Sequence, residues 1–495
     1  MRGAKGAAAK RTTRAKETFE RLLPADLVLR HDWLFRQSWV EESAGEVIGD
    51  DYDHRARAER IAELRAQAVE KVFACGGAEE VLRLAKRGQA AHNVGWFPAQ
   101  VLDDRATLTE ALAEIANGSD LTGARGQLIE GALLKAGDED GAILRKLTSC
   151  VVPEEIAQLL MLAPFEKKTW MYVDELDDKV QAVYWSDVNP RWSRDPADLP
   201  EAVKRLIAAR RPRAAFQLSQ LDLKGLPVPL LYALLVAILT NSTEAANTYM
   251  LEPYALRDAF KLLNDSGEIT TDQMAGLEFR FIDIFGRGES IPVNLSRAMA
   301  VQPESFVQAV AFFTKRKDDQ EDPPELRLDD EEARRCRANA AYRLLDVVEF
   351  IPGMPDGELE AARIIAWVEQ AQASLSALAR LDIGDQMIGK ILAKAPSGED
   401  NVWPCLPVRG ALEVVANHHI ERGMHVALRN ARGAHWRGEG GVQERELAAK
   451  YRGSADATAY THPRVAAILR GGVEKAYLSE ADWEDNDAKI ARRMR

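Results

Sequence analysis

The residue types with the widest chemical reach fall together near the end of the chain. Arg429, Asn430, Arg432, Gly433, His435, Trp436, Arg437, Gly440, Gly441, Gln443 and Arg445 all lie within residues 429–445. Glycines let backbone amides approach a ligand closely, and the N-terminus of a helix behind them favours an anion. Arginine forks match phosphate or carboxylate, and Trp436 can stack a base. Over 422–452 seven bases face three acids, a local balance of +4. The plainer reading of the same residues is an ordered loop whose arginines pair with Glu439, Glu444 and Glu446 and cap helix ends. A protein-contact loop is the third.

Other stretches imitate sites and fall short. Gly384-Asp385-Gln386-Met387-Ile388-Gly389-Lys390-Ile391 nearly matches a phosphate-binding loop. Ile391 stands where Ser or Thr would hold magnesium, and no strand precedes it. Leu262 to Gln273 imitates a calcium loop, yet Leu262 and Gln273 occupy the first and last ligand places. The expected structure there is a helix–turn–helix joint with Gly267 in the turn. His418, His419, His425, His435 and His462 are close in sequence but lack the i, i+4 spacing of a helical metal pair. No Gly-x-Ser-x-Gly elbow is present. His435 with Glu439 is the example of a dispersed hydrolytic pair. No cofactor and no metal are implied.

The elements that must position these residues are helices. Thr107-x-x-Glu110 and Thr270-x-x-Gln273 read as capping boxes. Asp356 and Ser479 read as N-caps, and Pro463 as a first helical residue. Leu108, Leu112 and Ile115, then Ile364, Val368, Ala371, Leu375 and Leu378, recur at three-four spacing. Alternation of period two is almost absent. The fold expected is all-α, a HEAT-like or irregular helical-repeat (α-solenoid) architecture in two or three lobes. Trp33, beside Leu34 and Phe35, and Trp367 are expected in the core. Leu226 to Leu239 is too short for a membrane span and reads as a core helix.

Charge subdivides the chain. Its 495 residues carry a net charge of −12, which argues against a globally basic nucleic-acid binder. Nine acids against one base between Asp318 and Glu332 supply −8 of it. The expected organisation is a disordered basic arm (1–16), an N-terminal lobe (17–190), central repeats (191–317), an acidic linker (318–332) and a C-terminal lobe (333–495). Four scattered cysteines, Cys75, Cys150, Cys336 and Cys405, read as buried reduced thiols in a cytoplasmic protein.

Several strings have a familiar look. They are Arg30-His31-Asp32-Trp33-Leu34-Phe35 with Trp39, Leu162-Ala163-Pro164-Phe165 with Thr169-Trp170, and Tyr184-Trp185 with Val188. Near the end come Arg429-Asn430-x-Arg432-Gly433, Gly440-Gly441-x-Gln443-Glu444-Arg445, Tyr451 and Pro463-Arg464. Across most of its length the chain resembles the C-terminal helical recognition region of large bacterial multidomain defence or signalling proteins of the STAND/NACHT or effector-linked type. That resemblance implies recognition behind an NTPase or effector domain, and none of its motifs is catalytic. No such effector domain is visible here, so the chain reads as a stand-alone member whose effector is another chain, or as a fragment.

The expectation is therefore a non-enzymatic recognition or scaffold protein that binds a protein partner and no membrane. Nucleic-acid or nucleotide binding through 422–452 is the alternative, and a hydrolase with a dispersed site the second alternative.

Overall fold

Helix follows helix along the whole described chain. The computed structural model describes residues 17–18, 21–40, 54–102, 104–117, 121–138, 141–191, 195–240, 243–244, 248–286, 291–327, 330–354, 360–431 and 440–494. The helices are α1 (Leu27–His31), α2 (His54–Ala85), α3 (Ala91–Trp96), α4 (Pro98–Val101), α5 (Arg105–Ala116), α6 (Ala124–Ala136), α7 (Ala142–Thr148), α8 (Ile156–Met161), α9 (Lys167–Asp174), α10 (Asp178–Asp187), α11 (Leu199–Ala208), α12 (Pro212–Ser219) and α13 (Val228–Thr240). They continue as α14 (Pro253–Ser266), α15 (Thr271–Arg280), α16 (Val293–Val301), α17 (Pro303–Phe313), α18 (Glu331–Val347), α19 (Ala361–Ala377), α20 (Leu381–Leu392), α21 (Leu406–Val415), α22 (His418–Asn430), α23 (Val442–Thr458), α24 (Pro463–Ile468) and α25 (Lys475–Met494). A π-helical turn, Leu469–Glu474, joins α24 to α25. No strand occurs among the described residues. The architecture is all-α, an irregular helical repeat.

Contacts divide the chain into two compact units, Met1–Leu251 and Glu252–Arg495. Composition points instead to boundaries near 190 and at 318–332. The acidic stretch is no free linker, because Arg380, 1% exposed, forms a fork to Asp322 at 2.7 and 2.9 Å and holds it in the second unit.

Caps explain much of the helix placement. The Thr270–Gln273 capping box is present, and Pro463 opens α24. Thr107, by contrast, lies inside α5, whose cap is Asp104, accepting from the amides of Ala106 and Thr107. Ser479 is also interior, since the π-turn carries the helix on from α24. Asp356 lies outside the described residues. Three helices with proline at or just before their first residue lack a side-chain cap of their own and receive a carboxylate from elsewhere. Glu244 accepts from Arg213 N (2.7 Å) and Ala214 N (3.0 Å) at the start of α12. Glu278 accepts from Leu295 N (2.7 Å) at α16, and Glu413 from Arg464 N (2.9 Å) and Val465 N (3.0 Å) at α24. Bases treat C-termini in the same way. Arg211 donates to Trp185 O and Val188 O after α10, Arg380 to Thr314 O after α17, and Lys394 to Val348 O after α18. Each charge lies on the end of the helix dipole that favours it.

Two helix crossings use glycine to bring backbones together. A Cβ on Gly95 of α3 would overlap the Leu128 carbonyl of α6, and one on Gly131 would overlap the His92 carbonyl. In the second unit Gly389 of α20 faces the Ile420 carbonyl of α22, and Gly423 faces that of Gln386. In both crossings each glycine lies three residues after the carbonyl its partner touches, so each unit contains the same reciprocal contact.

The core follows the apolar seams. Ile364, Val368, Ala371 and Leu375 are buried, as are Leu231, Leu234 and Leu235 of α13. Trp367 is buried and donates to Met299 O at 3.0 Å. Trp33 departs from expectation at 45% exposure, because its neighbours Leu34 and Phe35 take the inward positions. The cysteines also depart: Cys405 alone is buried, whereas Cys75 and Cys336 are exposed and Cys150 half-buried.

Candidate functional site

The described part of the arginine–glycine region packs against α25. Arg429 pairs with Glu480, and Arg445 with Asp485. The Gly441 amide donates to Asp485 Oδ1 at 2.8 Å, so a carboxylate of the same chain sits at the start of α23. That backbone hydrogen bond, followed by Arg445, holds Asp485 below the usual carboxylate range. Gly440 has φ +81°, and a Cβ on Gly441 would overlap the Ala481 carbonyl. Both glycines are thus required by the approach to α25. Behind them Leu428, Ala448, Val473 and Tyr477 form a small core, with Tyr451 stacked on Tyr477 at 5.9 Å between centroids. Burial pushes the Tyr451 hydroxyl up to about 12.

Arg429, Gly440, Gly441 and Arg445 therefore all meet α25. Asn430 is exposed at the last residue of α22, and Gln443 is half-buried in the first turn of α23. Arg432, Gly433, His435, Trp436 and Arg437 lie outside the described residues, as does Glu439. The other imitations resolve as packing. Gly384 and Gly389 lie inside α20, against Leu375 and the Ile420 carbonyl. Gly267, at φ +67°, ends α14 ahead of α15. His425 fits over Gly472 of the π-turn with Nε2 2.9 Å from the Ile468 carbonyl. Among the described residues no group of three or more His, Cys, Asp or Glu is placed to hold a metal ion.

A second feature lies in the first unit and escapes motif reasoning. Gly76 (φ −157°) and Gly77 (φ +66°, ψ −149°) break α2 in its middle. The Gly77 conformation is essentially closed to other residues. The break opens an exposed groove of about 650 Å³ between α2, α5 and the end of α7. Phe73, Ala111 and Ala113 supply apolar lining, while Asp104, Glu110, Glu114 and Lys146 supply charge. Lys146 Nζ lies 2.9 Å from Glu110, which raises its pKa. Asp104 is held low by Thr107, through its hydroxyl and then its amide. Glu114 is exposed and leaves the groove with an acidic rim. The signal in the sequence is the Gly-Gly pair within an otherwise helical stretch.

Several residues of the strings behind the resemblance sit at packing positions, whereas Trp33 and Trp39 are exposed. Asp32, 5% exposed, receives Arg36 and Arg87 at 3.2 and 3.1 Å. Phe165, Trp170, Tyr184 and Trp185 form one aromatic cluster, with Phe165–Trp170 at 4.9 Å and Tyr184–Trp185 at 5.1 Å. No described helix is long and apolar enough to cross a membrane. No family model matches the chain, and no curated protein sequence matches it.

Proposed function

We propose that this chain is a non-enzymatic helical-repeat recognition or scaffold protein whose first unit takes a segment of a protein partner. The observation that carries the reading is the groove at the α2 break. Its apolar lining from Phe73, Ala111 and Ala113 and its carboxylates at Glu110 and Glu114 suit a segment with an apolar side chain beside a Lys or Arg. Two of the helices that build the groove are capped by the chain itself, α5 by Asp104 and α7 by Asp138, so a partner meets a preorganised surface. In a defence or signalling setting, which the family resemblance suggests, occupancy of the groove would be passed to an effector on a neighbouring chain.

The test is a photocrosslinker at Ala106, which lines the groove, compared with one at Arg55, an exposed residue outside it. The Ala106 probe captures one defined protein from the native host, and Glu114→Lys abolishes the capture while thermal unfolding stays unchanged. Equal capture from both positions, or turnover by the isolated chain, defeats the reading.

A further inference from the structure

Beside the groove at the α2 break lies a second pocket of the first unit, of about 430 Å³. Ala78 and Glu114 line both, so the two adjoin at α5. Glu79, Glu80, Arg83 and Lys86 line it from the second half of α2, and Arg125 from the first turn of α6. These charges differ in how well they are met. Arg83 is paired twice, with Asp26 and with Glu80, each at 2.7 Å. Among the described residues, Arg125 Nε and Nη1 have no hydrogen-bond partner, and both atoms are shut off from solvent. An arginine cannot discard its charge. Shielded and unpaired, that charge is costly to hold, and in native structures such groups are matched by a ligand, an ion or water. An anion placed beside it is attracted with little screening. Lys86 is exposed and adds a second cation. α6 starts without a side-chain cap, which leaves the positive end of its dipole next to Arg125.

We infer that this pocket takes a carboxylate, from an Asp or Glu of the same partner segment that enters the groove, an occupant that rests on the groove being the partner site. The shared Glu114 sets the order of charges. It meets the Lys or Arg of the segment, which leaves Arg125 and Lys86 for an acid close by on the same segment. Glu79, also exposed here, repels a second negative charge, so a carboxylate fits better than a phosphate dianion.

The probe is a library of random peptides displayed on phage and selected against the full chain. Wild-type protein enriches peptides in which an acid lies near a base and an apolar residue. Changing that acid to its amide in a selected peptide weakens binding about tenfold or more by fluorescence polarisation, and makes no difference to binding by Arg125→Gln. Arg125→Glu selects a base in place of the acid. Thermal unfolding of both variants stays close to wild type, because Nε and Nη1 make no bond within the chain. Enrichment of the base and the apolar residue without an acid overturns the carboxylate pocket and leaves the groove standing. Enrichment of the acid alone, lost in Arg125→Gln, keeps the pocket and defeats the groove. An acid requirement that persists in Arg125→Gln overturns the inference, as does displacement of the peptides by inorganic phosphate but not by acetate at equal ionic strength.

Discussion

At the scale of single residues, several charged side chains of this protein act on its own helix ends. Glu278 is the sharpest case. It is 1% exposed and accepts from Asn294 Nδ2 at 2.9 Å and from Leu295 N at 2.7 Å. Glu278→Ala leaves the buried amides of Asn294 and Leu295 without their acceptor, while Asn294 Nδ2 keeps Asn264, and costs about 2–3 kcal/mol, measured by denaturant unfolding. Burial pushes the Glu278 carboxyl above its ordinary 4.5, against the opposing pull of Asn294 and Leu295. The folded state then holds the proton more tightly than the unfolded state. Its contribution is complete below pH 4.5 and is lost as pH rises through the higher folded value. Glu278→Gln flattens that part of the stability–pH curve. Asp485 has the opposite sign. Held low by Gly441 and Arg445, it contributes above the ordinary value of 3.8 and loses that contribution as acid protonates the folded carboxylate. Asp485→Ala therefore lowers the melting temperature at neutral pH and speeds amide exchange in the first turn of α23. Arg445→Ala shares the melting defect. A steep, salt-dependent loss of oligonucleotide binding in Arg445→Ala would instead favour the nucleic-acid alternative.

At the scale of elements, glycine serves two physically different ends. Gly389 permits a backbone-to-backbone crossing, and a methyl group there has no room against the Ile420 carbonyl. Gly389→Ala costs about 1–3 kcal/mol through forced separation of α20 and α22. Gly77 has no atom within reach of a Cβ, yet its φ of +66° penalises any side chain. Gly77→Ala costs about 1–3 kcal/mol through backbone strain alone, and it should also reduce partner capture if the break shapes the groove. Thermal unfolding and crosslinking separate the two variants. The sequence exposes the features that are local: the Thr270–Gln273 box, Pro463 at the head of α24 and the Ile364–Leu375 seam. It hides those that depend on distant chain. Glu413 caps α24 from about fifty residues away. Ser479 looks like a cap because nothing local announces that the π-turn keeps the helix running. Gly384 and Gly389 look like a phosphate loop because spacing alone cannot tell a tight turn from a tight crossing. In the arginine–glycine region the residue types were legible, but their acidic partners on α25 were not. Glu444 and Glu446 were the obvious neighbours, whereas Glu480 and Asp485 are brought in by the fold of the chain.

At the scale of the whole molecule, the division at Leu251–Glu252 makes a prediction that composition would place differently. The acidic run at 318–332 looks like a natural cut, with nine acids, two prolines and only one base. Yet Asp322 supplies both oxygens to the guanidinium of Arg380, a side chain 1% exposed that also donates to Thr314 O at the end of α17. A fragment beginning at 333 would lose Asp322, the Thr314 carbonyl and α17 together, whereas Asp322→Ala alone leaves a buried cation without a counterion. Breaking such a pair costs about 3–5 kcal/mol, a large share of a domain's total stability. Cutting at 251 instead follows the division between the two compact units. The fragment 252–495 is therefore expected to unfold cooperatively with helical circular dichroism, whereas 333–495 is expected to be soluble only as a loosely packed or aggregating chain. Asp322→Ala in 252–495 isolates the cause, since it should lower stability by most of the difference without removing any helix. If 333–495 proves as stable as 252–495, the acidic run is a true linker and the Arg380–Asp322 fork is incidental.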